Sequence, residues 1–172
     1  MSQKLFLTGE PGVGKSTIFQ KIVTELGDKC VGFYTPEVLV NGEREGFDLV
    51  SINLPVGNGP LARLNSNSPY QLGRWGVDIT HLEKITNALE NFKDTNKIFV
   101  IDEIAPMEAF SDKFRLFIEN LLASDKTVIA TIKLAEHPWC DTLKSNFNIP
   151  LKTATPENRA SLAKEILAGL KF

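Results

Sequence analysis

The chain has 172 residues, 42% hydrophobic and 23% charged, with a formal net charge of −2, which describes one globular domain, residues 1–172, with enough apolar material for a real core. Its charges are scattered rather than grouped in runs, so no nucleic-acid backbone is expected as a partner. The amino-terminal "KLFLTG" holds only three apolar residues in a row, too few for a signal-peptide core or a membrane span, so a cytoplasmic protein without a membrane partner is expected.

"KLFLT", Lys4 to Thr8, reads as a short buried strand running into a glycine-rich turn, and "KSTIFQKIVTEL" follows with helical spacing at Ile18, Ile22 and Leu26. Gly27 stands where a helix ends on glycine, and "CVGFYT" is the next strand. Residues 37–53 have β-rich arms around Asn41-Gly42, a pair that tolerates the positive φ angles of a tight turn, and are expected to form a β-hairpin. From Pro55 to Tyr70 the chain is rich in Gly, Pro, Asn and Ser, which implies a long loop able to act as a lid.

"DITHLEKITNALENF" places Ile79, Leu82, Ile85, Leu89 and Phe92 on one helical stripe, capped by Asp78 or Thr80. "KIFVI" is a strand, "EAFSDKFRLFIENLLAS" an amphipathic helix with Phe110, Phe114, Phe117 and Leu121 inward, and "TVIATI" another strand. "IPLKTA" is a short strand, and Thr155-Pro156-Glu157 has the order of N-cap, first helical residue and first-turn acid for a helix reaching about Leu170. Strands alternating with helices predict an α/β domain with a mainly parallel central sheet, helices on both faces, and ligands beyond the carboxyl ends of the strands. Cys30 and Cys140 lack disulfide or zinc spacing and read as buried thiols, while His81 and His137 read as solvated.

"GEPGVGKST" carries Gly9, four residues, Gly14, Lys15 and Ser16, the GxxxxGK[ST] pattern in its required place between strand and helix. Gly9, Glu10, Pro11, Gly12, Val13, Gly14, Lys15, Ser16 and Thr17 are the expected phosphate-binding stretch. Backbone N–H groups from Gly12 onward can cradle a phosphate, helped by the helix dipole. Lys15 can bridge β- and γ-phosphate oxygens, the Ser16 hydroxyl can ligate Mg²⁺, and Thr17 can contact the α-phosphate. A nucleoside triphosphate with Mg²⁺ is therefore the expected small-molecule partner.

"FVIDEIAPMEAF" ends a buried strand on two adjacent acids, Asp102 and Glu103, flanked by Ile101 and Ile104. An Asp facing a phosphate loop can hold Mg²⁺ through its water shell. Strand alternation turns Glu103 away from the metal, where at the sheet edge it can accept a hydrogen bond from a water in line with the γ-phosphate and serve as a water-orienting base. Glu108, a turn further on, reads as a helix-start residue.

In order, "GEPGVGKST", "GFYTPEV", "GFDLVSI", "LGRWGVDI", "VIDEIAPMEAFSDKFR", "ATI" and "TPENR" resemble the THEP1-type nucleoside triphosphatases over nearly the whole chain. The resemblance implies a RecA-like P-loop fold and Mg²⁺-dependent hydrolysis of ATP, GTP and other NTPs to NDP and phosphate, with broad base tolerance. The family usually reads DEIGKME where this chain has Ala105-Pro106, so catalysis here should not depend on a lysine at that place. Arg63, Arg74 and Arg159 occupy positions where the family also tends to be basic. Arg63 and Arg74 are the preferred candidates for a guanidinium at the γ-phosphate, with Arg159 among the nucleotide contacts. Trp75 reads as core packing ahead of base stacking.

An alternative is a phosphotransferase in which a small molecule under the 55–70 loop replaces water. A nucleotide switch ranks last, because no Asn-Lys-x-Asp base reader is present and Ala105 stands where a DxxG glycine is needed. A monomer is expected.

Overall fold

The computed structural model describes residues 3–170. Ten strands form a single sheet: β1 (Lys4–Thr8), β2 (Cys30–Tyr34), β3 (Glu37–Val40), β4 (Glu43–Ile52), β5 (Gly59–Leu64), β6 (Tyr70–Leu72), β7 (Trp75–Val77), β8 (Ile98–Ile104), β9 (Val128–Ile132) and β10 (Leu151–Thr153). Five helices accompany it: α1 (Lys15–Leu26), α2 (Thr80–Glu90), α3 (Asp112–Ala123), α4 (Pro138–Asn146) and α5 (Leu162–Gly169). The strand order is β10-β1-β9-β8-β2-β4-β5-β7-β6, with β3 paired to β4 outside that path.

The first five strands in that order pair in parallel, and everything beyond β2 is antiparallel. The α/β architecture with helices on both faces is as expected, but an antiparallel wing extends the parallel core. Strand alternation sorts the apolar residues into two cores. Phe6, Val31, Phe33, Phe99 and Ile101 face α2, α3 and α4, where Leu82, Ile85, Phe114, Phe117 and Leu143 meet them. Leu7, Cys30, Val100 and Ile129 face α1 and α5 through Ile18, Phe19, Ile22 and Ile166. At Gly32 of β2, a Cβ would stand 1.7 Å from the Val100 carbonyl oxygen, so only glycine lets β2 and β8 close here.

Several expectations hold in detail. β3 and β4 form the hairpin, with Asn41 at φ 51° and Gly42 at φ 82°, and Gly27 ends α1 at φ 55° with its N–H on the Val23 carbonyl. The Asp78 carboxylate accepts the Thr80 N–H at the start of α2. Three expectations need correction, and one helix had no expectation behind it. The 55–70 segment is no lid: Gly59 to Leu64 is strand β5, paired with β4 and β7, because Leu61 and Ala62 are drawn into the core. The helix expected from Glu108 begins only at Asp112, capped by the Ser111 hydroxyl, which accepts the Phe114 N–H, after a 3-10 turn over Glu108–Phe110. The last helix starts at Leu162 rather than Pro156, because Asn158 binds the Thr155 N–H through its side chain and holds a separate turn. Helix α4 was not foreseen; Pro138 leads it and Trp139, Cys140 and Leu143 bury its inner face.

Candidate active site

β1 delivers the chain into the phosphate loop and α1 takes it out. Val13 is buried and anchors the loop from below, while Glu10, Pro11, Gly12, Ser16 and Thr17 are exposed at its rim. Gly14 sits before α1 at φ 109°, with no side chain capping the helix, so the first-turn N–H groups stay available to an anion. A Cβ at Gly9 would stand 2.7 Å from the Ala154 carbonyl oxygen, so the loop closes against the end of β10 only with glycine there. The Lys15 ammonium curls over the same loop and donates to the Gly9 and Glu10 carbonyls at 2.7 and 3.0 Å.

The parallel strand ends beside this loop are tied together by threonine hydroxyls. Thr8 at the end of β1 donates to the Ile132 carbonyl of β9 at 2.9 Å. Thr131 of β9 donates to the Asp102 carboxylate, and Thr35, just past β2, donates to the Asp102 carbonyl. Asp102, 6% exposed, is thus fixed from both neighbouring strands. Burial pushes its carboxyl above the ordinary range, opposed by the Thr131 hydroxyl, the Lys15 ammonium and the Ser16 hydroxyl. Ser16 and Asp102 are therefore brought together at the loop. Thr8, Thr35 and Thr131 escaped the sequence reading; the only signal available was a threonine at or next to each strand end.

The Asp102-Glu103 peptide is cis. Glu103 is only half-buried by its surface, and its carboxyl is raised by burial first and by the Asp102 charge next, with Lys15 and Lys133 pulling it back. Lys133 reaches this corner because its N–H binds the Ile104 carbonyl at 3.1 Å, just past β9. Ile101 and Ile104 are fully buried core residues, so they hold the acids by packing. Glu108 is 2% exposed and opens the 3-10 turn ahead of α3 rather than α3 itself.

The arginines separate clearly. Arg63 lies on β5 in the antiparallel wing, pairs with the Asp48 carboxylate and donates to the Phe47 and Ala62 carbonyls at 2.9 and 2.8 Å. Arg74 lies over the Trp75 ring, 5.0 Å from its centroid, and Trp75 packs edge-on against Phe47. Neither guanidinium is brought to the phosphate loop, because each is engaged within the wing. Arg159 is exposed and its stem lies along the loop, with Cδ 3.8 Å from where a Gly14 Cβ would be.

Comparison with known proteins fits this geometry. The sequence profile described as NTPase matches residues 4–167. The chain belongs to that family. It is 37% identical to the nucleoside-triphosphatase THEP1 of Thermotoga maritima over 170 residues, which spans 98% of this chain and 96% of that protein. It is 32% identical to a cancer-related nucleoside-triphosphatase homolog of Bos taurus, over 99% of this chain and 98% of that one. The crystal structure of THEP1 from Aquifex aeolicus superposes with a TM-score of 0.86 at 33% identity, covering 99% of this chain and all of the other. The chain is thus an NTPase-family enzyme with that family's α/β fold, and among the described residues no helix is long and apolar enough to cross a membrane.

Proposed function

We propose that this NTPase-family chain hydrolyses nucleoside triphosphates to the diphosphate and phosphate with Mg²⁺, using water oriented by Glu103, and accepts several bases. The observation that carries this reading is the meeting of Ser16, Lys15 and Asp102 at the mouth of the phosphate loop, with Glu103 adjacent. Ser16 and Asp102 offer oxygen donors only, and among the described residues no group of three or more His, Cys, Asp or Glu could cage a metal. That donor set fits Mg²⁺, which keeps waters and takes substrate phosphate oxygens, and the bound ion would supply charge neutralisation at the phosphates.

Lys15 gives up its two loop carbonyls to reach the β- and γ-phosphate oxygens, and the N–H groups of the loop and of α1 hold the β-phosphate. Asp102, held by the Thr131 hydroxyl and lying near Lys15, would hold the ion through its water shell. Glu103 accepts the proton of the attacking water, and its raised pKa brings it nearer the proton affinity such a base needs. Arg159, over Gly14, supplies a guanidinium for charge developing at the γ-phosphate, in place of Arg63 and Arg74. All these contacts concern the triphosphate, which every NTP shares, and this supports broad base use. The phosphotransferase alternative rested on a 55–70 lid; with β5 in its place, no observation favours it.

Phosphate release from ATP, GTP, CTP and UTP with Mg²⁺ tests the proposal. Lys15→Ala weakens nucleotide use, whereas Glu103→Gln keeps ATP binding and loses roughly 10²-fold or more in kcat. Undiminished release by Glu103→Gln would remove the base assignment, and release that survives EDTA would remove the metal.

A further inference from the structure

The peptide between Ile132 and Lys133, where β9 runs out, is tied to the strand on each side. Its carbonyl accepts the Thr8 hydroxyl of β1 at 2.9 Å, and its N–H donates to the Ile104 carbonyl of β8 at 3.1 Å. β1 leads straight into the phosphate loop, β8 carries the two acids, and β9 lies between them. Lys133 therefore leaves the sheet at a fixed point between the loop and the acids, although it stands one residue past the strand.

Strand alternation settles which way the Lys133 stem points. Ile129 packs in the core beneath α1 and α5, Ile132 packs in the opposite core, and Thr131 turns its hydroxyl to the Asp102 carboxylate. The bond to Ile104 continues the pleat through Lys133. Its side chain therefore stands on the same face as Thr131, roughly 7 Å further toward the carboxyl ends of the strands. That is the face on which α1 and the phosphate loop lie. Lys133 is half-buried, and among the described residues its ammonium has neither an ion pair nor a hydrogen bond, whereas Lys15 is held by two loop carbonyls. The turn after β8 offers no cation, since Ala105, Pro106 and Met107 follow Ile104, and Lys15 is the only cation within the loop. A triphosphate seated there faces Asp102 and Glu103, so a further cation between loop and acids offsets the crowding of like charge, and a compact ammonium on a flexible stem suits a phosphate oxygen.

We propose that Lys133 is a second phosphate-binding lysine, reaching the γ-phosphate from the β9 side while Lys15 holds it from the loop. This rests on the chain binding nucleoside triphosphates at that loop, but not on the role given to Glu103. It makes Lys133 a catalytic residue, acting on the charge of the group that is transferred. It also lets the site tell a triphosphate from a diphosphate. The loop N–H groups and Lys15 serve the β-phosphate of both, whereas Lys133 stands beyond them, where only the longer phosphate chain extends.

The experiment measures binding of ADP and of a non-hydrolysable ATP analogue, each with Mg²⁺, by titration calorimetry in wild type, Lys133→Met and Lys133→Arg, together with phosphate release from MgATP. Methionine keeps an unbranched stem and removes the charge. Lys133→Met is expected to bind the analogue about 10-fold or more weakly, the worth of a hydrogen bond between charged groups, while ADP binding stays within about twofold of wild type. Its kcat/KM for ATP falls at least as far, and Lys133→Arg recovers part of both losses. Undiminished analogue binding by Lys133→Met overturns the proposal, and so does an equal loss for ADP and the analogue, which marks a structural role. If Lys133→Met does not fold, the wild-type protein decides. The analogue, and not ADP, should shield Lys133 from an amine-acetylating reagent, read by peptide mass spectrometry, and equal labelling with the two nucleotides overturns the proposal. A wild type that binds neither nucleotide removes this proposal together with the nucleotide reading. A wild type that binds the analogue but releases no phosphate shows that only the hydrolytic reading has failed, and the two affinities still decide the role of Lys133.

Discussion

Replacing Thr131 by Val keeps the shape of the side chain and removes the hydroxyl that donates to Asp102. Thr131 is 0% exposed and Asp102 6% exposed, so no water replaces the lost donor, and the Asp102 carboxylate keeps only the influence of Lys15 and Ser16. A buried hydrogen bond to a charged group is worth about 1.5–3 kcal/mol. For a domain of this size that lowers Tm by roughly 3–12 °C. The pH dependence has a definite sign. The Asp102 carboxyl is already raised in the folded protein by burial, and losing Thr131 raises it further while the unfolded chain is unchanged. The destabilisation is therefore complete where the folded carboxyl is ionised in both proteins, and it vanishes as pH falls through the folded values and both become protonated. Thermal unfolding followed by circular dichroism at pH 5 and pH 8, with EDTA present, reads this directly. A variant as stable as wild type at pH 8, or a deficit that grows toward acid, would refute the role given to this hydroxyl.

Burial holds the Glu108 carboxyl well above the usual range, so the folded state binds its proton more tightly than the unfolded chain. Stability falls as pH rises from the unfolded value toward the folded one, and Glu108→Gln should flatten that decline and gain stability most at alkaline pH; a steeper decline in denaturant titrations would contradict it. Arg159→Ala should lower kcat on the order of 10²-fold, as the loss of a transition-state donor does, while Arg63→Ala should leave kcat closer to wild type than Arg159→Ala does and cost about 1 kcal/mol or less of stability, its pair being partly exposed. The reverse order in steady-state kinetics would return the role to the wing. Phe114 is fully buried against Phe33 and Trp139, and Phe114→Ala should cost about 3–5 kcal/mol in urea unfolding. A loss below 1 kcal/mol would mean that the α3 face is not packed as described.

Local chemistry made part of this protein legible from its sequence. GxxxxGK[ST] between an apolar strand and an amphipathic helix is decided within nine residues, because positive φ, small side chains and an uncapped helix start are local requirements. Asn41-Gly42 likewise specified its turn, and the stripes of α1 and α2 specified their buried faces. Other features depend on contacts between distant segments. The Gly-, Pro- and Asn-rich composition of residues 55–70 reads as loop, yet Leu61 and Ala62 gain a core only because β4 and β7 lie on either side. Arg63, with Arg74 a preferred candidate ahead of Arg159, is engaged by Asp48, fifteen residues back, a pairing its sequence position does not announce.

The order of strands made the largest difference at the site. Sequence alone placed Lys15, Ser16, Asp102 and Glu103 at the ends of two apolar strands. Only the insertion of β9 between β1 and β8 brings Thr131 against Asp102 and Lys133 toward Glu103. The burial of Glu108 is likewise a tertiary result, since an acid after a turn is equally compatible with a solvated helix start. Composition and spacing determine which groups can react; burial and strand neighbours determine which of them are charged, because desolvation and partner charge act only once the chain has closed around them.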